Sequence, residues 1–201
     1  MGEGKSIVIE PTTANIPSTI HNHANVDYPF MLEHALISHV TRALTEILPE
    51  VEIQGGAPEP FYQAPKDSSP AILFFRDDHI RSLFHELAHF CLAGEARRLL
   101  DDFGYWYEPC GRTTDQQIQF ESVEARPQGL EKLFCEIWDI PFAPSLDDFS
   151  GRPPSQQFLE KLQNGYIEMK ENPPSTAKRI IEGMHHFTDT DLATRHLLNR
   201  V

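Results

Sequence analysis

The heptapeptide FHELAHF, residues 84–90, constrains this chain more than any other stretch. Residues four apart stand one above the other on an α-helix, and the surroundings of the two histidines argue for one. Ile80, Leu83, Phe84, Leu87 and Cys91 recur at helical spacing along one stripe. His85 and His89 lie about 140–180° round from the centre of that stripe, so they are not its buried members. Two imidazoles so placed can share one divalent ion without straining the backbone. Glu86 points to a neighbouring face, where it reaches a water or ligand on the ion rather than the ion itself. Asp77 or Asp78 is the expected N-cap of this helix.

Two histidines hold a metal poorly, so a third ligand has to come from another segment. QFESVEARPQGLE offers Glu121, Glu124 and Glu131. A helix from about Gln116 to Trp138 with Phe120, Val123, Leu130, Leu133 and Phe134 on its buried face puts Glu124 along the contact with a neighbouring helix. Glu121 points further toward solvent on the same wheel and is the second choice. Pro127 should kink this helix or end one segment of it. Two histidines and one carboxylate suit two chemistries. With zinc and a bound water they make a hydrolase, in which Glu86 is the general base. With ferrous iron and open positions they make an oxygenase site. Spacing does not choose between them. AILFF, residues 71–75, reads as a short buried strand just before the histidine helix, and such a strand could offer its edge to an extended peptide.

The rest of the chain bounds the setting. At 201 residues it has room for one well-buried core. A net charge of −13 argues against nucleic acid as the main partner and suits a basic one. Three cysteines at unpaired spacing point to a reducing cytoplasm, and no apolar run reaches membrane-spanning length. Residues 1–30 read as an irregular arm, in which His21 and His23 are incidental, and residues 31–201 as a single domain. Within it, helices are expected at 31–48, over EARRLLDDFG up to Gly104, and at roughly 155–170, 175–186 and 190–199. GGAPEPFYQAPKDSSP reads as a loop.

HELAHFCLAGEARRLLDDFGYWYEPCGR, followed by QFESVEARPQGLEKLFC, closely resembles the bacterial elongation factor P hydroxylase family. The aromatic run FGYWY and the phrase VEARPQ are far more specific to it than the histidine pair. The resemblance implies a predominantly helical α+β fold of zincin-like (metallopeptidase-like) type, with a small sheet beside the metal-binding helix. It implies hydroxylation of the β-lysyl-modified lysine of elongation factor P, a metal held by His85, His89 and Glu124, and molecular oxygen as cosubstrate. Fe(II) suits that reaction best, and no signature identifies the reductant. Glu86 matches the motif glutamate and would orient oxygen or substrate. Phe90 and Cys110 depart from the family pattern, which often carries Trp and Asp there. Asp101, Asp102 and Glu108 would attract the cationic lysine tip, and Tyr105, Trp106 and Tyr107 would wall its channel. Arg97, Arg98 and Arg112 would contact the partner or anchor those acids.

Overall fold

The computed structural model describes residues 28–104, 111–146 and 152–190. Among the described residues, five α-helices and a three-stranded sheet make a predominantly helical α+β arrangement: α1 (Tyr28–Ile47), β1 (Val51–Ala57), β2 (Phe61–Gln63), β3 (Ala71–Arg76), α2 (Ile80–Leu92), α3 (Thr114–Ile137), α4 (Gln156–Glu171) and α5 (Ser175–Thr190).

β3 is the middle strand, with β1 parallel on one side and β2 antiparallel on the other. Its Ala71, Leu73 and Phe75 are buried in alternation, the period of a sheet with one face against the core. That corrects the expectation of an open edge along AILFF, since both sides of the strand are already paired. The GGAPEPFYQAPKDSSP loop also proves to hold structure. It contains the end of β1 and the whole of β2, whose pairing comes from β3 rather than from any pattern of their own.

α2 begins later than expected. Asp77 and Asp78 both sit in the left-handed region, at φ 46° and 52°, so the N-cap falls to His79. All five stripe residues of α2 are buried, with Ala88 and Phe90 beside them. The expected helix over EARRLLDDFG is replaced by two 3-10 turns, Arg97–Leu99 and Asp101–Gly104. Leu99 and Leu100 are 69% and 51% exposed, so no apolar face is packed to hold a longer helix. Asp102, Phe103 and Gly104 are consecutive left-handed residues.

α3 runs unbroken through Pro127, started by a capping box between Thr113 and Gln116. Burial against two neighbours outweighs the roughly 3 kcal/mol a mid-helix proline costs. α3 packs on α2 along one side and on α4 along another. α4 and α5 lie close to the expected positions, α5 reaching Thr190, while the segment expected at 190–199 otherwise lies outside the described residues. The main core joins α1, the sheet, α2, α3 and α5, with Trp138, Phe134 and Phe84 at its centre.

Candidate metal centre

The contact between α2 and α3 buries several polar groups. α2 carries Arg81, His85 and His89 at one-turn intervals, and α3 answers with Glu124, Gln128 and Glu131, all three buried. His85, His89 and Glu124 each point one ligating atom at the other two. The Nε2 atoms of the two rings are 3.1 Å apart. His85 Nε2 lies 3.4 Å from Glu124 Oε2, and His89 Nε2 lies 3.4 Å from Glu124 Oε1. Bonds of about 2.0–2.2 Å from one ion to three such atoms give ligand separations of about 3 to 3.5 Å, so the trio has the dimensions of a partial coordination shell.

The charges fit a cation as well. Glu124 Oε2 is buried without a hydrogen bond, an arrangement that costs free energy unless something positive approaches it. Burial works against a charged His85. It is outweighed by the hydrogen bond to Glu131 and by the charges of Glu124, Glu131 and Glu86, which push the ring's pKa up to about 10. Burial likewise opposes the Glu124 carboxylate, but the two imidazoles and the hydrogen bonds from His89 and Gln128 hold it down at about 2. The place between them is built to hold positive charge. It is also reachable, since the His85 and His89 side chains are 26% and 21% exposed.

Glu86 is half-buried on the same helix. Burial raises its pKa, His85 and His89 pull it down, and Glu124 and Asp102 push it up again. It therefore stands within electrostatic reach of the trio without being one of its members.

Other residues singled out in the sequence have different duties. Glu121 does not point to solvent: it is buried, accepts from Ser155 Oγ and is 3.4 Å from Gln117 Nε2, away from the histidines. Val123, expected in the core, is 50% exposed. Asp101 and Asp102 hold backbone. The Ala64 N–H donates to Asp101 Oδ1 and the Tyr62 N–H to Asp102 Oδ1, each at 2.9 Å. Arg98 donates to the Phe90 carbonyl at the end of α2 (3.0 Å) and to Thr176 Oγ1 (3.0 Å), and lies over the Phe90 ring. Arg97 donates to the Phe103 carbonyl (3.1 Å). Arg112 is buried, donates to Gln117 Oε1 (3.0 Å) and to the Leu146 carbonyl, and covers Phe120. His21, His23, Tyr105, Trp106, Tyr107, Glu108 and Cys110 lie outside the described residues.

Glu131 and Gln128 are parts of the site that the hydrophobic pattern did not assign. Gln128 is fixed by a reciprocal pair of hydrogen bonds with the Ser145 backbone, at 2.7 and 3.0 Å, and bonds Glu124 in turn. Their spacing from Glu124, at i+4 and i+7 on one helix face, was the available signal.

The sequence matches the model of a family described as elongation factor P hydroxylase over residues 45–197. An elongation factor P lysine hydroxylase of Haemophilus influenzae is 40% identical over 139 residues, which is 68% of this chain and 78% of that protein. Both matches span the histidine helix, the carboxylate helix and the segments between them. The chain belongs to the elongation factor P hydroxylase family.

Proposed function

We propose that this chain is a metal-dependent hydroxylase of the modified (β-lysyl-)lysine of elongation factor P, an oxidoreductase of monooxygenase type acting in the cytoplasm. The observation that carries the metal part is the buried Glu124 carboxylate, whose two oxygens each lie 3.4 Å from one imidazole Nε2 and whose Oε2 has no hydrogen bond, at an accessible edge of the α2–α3 contact. Family membership supports the substrate.

In this reading His85, His89 and Glu124 hold a divalent metal, with Fe(II) the best fit. The chemistry such an ion supplies when bound is activation of molecular oxygen, which zinc does not offer. The residues of the chain do the rest. The two imidazoles and one carboxylate would hold the ion at an edge that solvent reaches, the His85 and His89 side chains being partly exposed. Glu86, whose burial raises its affinity for a proton, stands beside that space to orient substrate or to hold a proton at its carboxyl. The chain's net charge of −13 attracts a cationic lysine tip and not nucleic acid. No described helix is long and apolar enough to cross a membrane. The fold is of the zincin-like kind, residues 31–201 forming one domain; α1 takes in residues 28–30 of the expected arm, the rest of which lies outside the described residues.

The alternative, a zinc peptidase with Glu86 as general base, loses support from the match to a hydroxylase family and at one of the two sheet edges. Peptides reach such sites by adding to a strand edge. β2 is the antiparallel edge strand here, and the Tyr62 N–H and the nearby Ala64 N–H, two residues apart, are already taken by Asp102 and Asp101. The deciding experiment incubates elongation factor P carrying the modified lysine with the iron-loaded protein in air. Mass spectrometry should find one added oxygen on that lysine. An unchanged mass, or a cleaved chain, would overturn the proposal.

A further inference from the structure

We infer that Glu131, braced by Arg81, is a positioning residue that fixes the tautomer and the orientation of His85 toward the metal. The inference rests on the metal reading above and adds a part of the site that the three ligands do not include.

Glu131 is a fully buried carboxylate on α3, two turns beyond Glu124, and both of its oxygens are committed. Oε2 accepts from His85 Nδ1 at 3.0 Å, and Oε1 accepts from Arg81 Nη2 at 3.0 Å. Arg81 is itself held, donating to the Ala143 carbonyl and lying over the Phe142 ring with its guanidinium carbon 5.4 Å from the centroid. An ion pair buried in a helix–helix contact is weak ground for stability, since apolar residues of the same volume often pack there at least as well. Its geometry has another consequence. A neutral imidazole that gives its Nδ1–H to Glu131 keeps a lone pair on Nε2, and Nε2 is the atom that faces Glu124 and His89. Turning the ring over would break the bond to Glu131 and withdraw the ligating nitrogen. The carboxylate also makes Nε2 a more basic donor to a metal. The relay Ala143–Arg81–Glu131–His85 thus ties the irregular segment after α3 to the direction in which one ligand points.

The test separates the hydrogen-bond acceptor from the buried charge. Glu131→Ala leaves Arg81 unpaired and can fail for that reason alone. Two charge-balanced variants avoid this: Arg81→Met with Glu131→Gln keeps an oxygen for His85, while Arg81→Met with Glu131→Leu removes it. Zinc is titrated into the metal-free parent and both variants against a chromophoric chelator, and imidazole nitrogen-15 spectra of the zinc-loaded proteins report which ring nitrogen carries the proton. The leucine variant should bind zinc about 10–100-fold more weakly than the glutamine variant and lose the slowly exchanging His85 Nδ1–H signal. Equal zinc affinity in the two variants, or a parent protein whose His85 carries its proton on Nε2, would overturn the inference. A parent that takes up no zinc at all would instead overturn the metal reading.

Discussion

α3 is buried along two sides, and the two sides are built on opposite principles. Toward α2 it presents Glu124, Gln128 and Glu131, ionised or polar groups taken out of water and faced by histidines, an arginine and backbone, with one Glu124 oxygen left without a hydrogen bond. Toward α4 it presents Ala125 and Gly129. There the backbones come so close that a side-chain carbon on Gly129 would lie 2.6 Å from the Tyr166 nitrogen, and one on Gly165 would lie 3.2 Å from the Ala125 carbonyl oxygen. The first contact contributes little net stability, because desolvating the charges offsets most of what their pairing gains. The second is close packing in which dispersion accumulates over many atoms. One helix can therefore carry a costly polar face because its other face is held tightly.

This contrast can be attacked from each side. The largest effect is expected from His89→Ala, which removes one atom of the trio. Metal content and hydroxylation should both fall by orders of magnitude while far-ultraviolet circular dichroism stays that of the parent. A chelator should lower the parent's thermal midpoint and leave that of the variant unmoved. Next comes Gly129→Val, which drives side-chain atoms into α4 backbone and should cost about 3 kcal/mol in urea denaturation. The folded fraction should still bind metal with the parent's affinity; a selective loss of metal binding would show that the two faces are not separable. Thr113→Ala removes the capping box that starts α3 and should cost about 1 kcal/mol, felt equally by both faces. Smallest is Val123→Thr on the exposed third side, where thermal denaturation should register no more than about 0.5 kcal/mol.

The same contrast explains what the sequence made legible. α2 was readable because its core stripe is apolar and strictly periodic, and two histidines set off that stripe are conspicuous. α3 was readable as a helix but not face by face. Buried Glu121 and Glu131 look like exposed charges to a hydrophobic pattern, and Val123 looks like core although it faces water. Only partners from other segments make those burials tolerable, and a linear pattern contains no partners. β2 was hidden for a related reason. The four residues between Pro60 and Pro65, three of them β2, carry no strand signal until β3 pairs one edge and two aspartates take the Tyr62 and Ala64 N–H groups. The turn at Asp101–Gly104 was misread as a helix because three left-handed residues in a row are exceptional even for Asp and Gly, and Phe103 among them is held by stacking on Tyr62 at 4.2 Å.

The short helix α2 carries the histidine pair on one side and Leu83, Phe84 and Leu87, among the most enclosed of the described side chains, on the other. Its 1.5 Å rise per residue sets the height of each imidazole ring as rigidly as a ruler, so the histidines cannot separate by local fraying. Hydrogen exchange at the amides of residues 84–91 should proceed only through opening of the whole molecule, with the histidine pair surviving for as long as the core does.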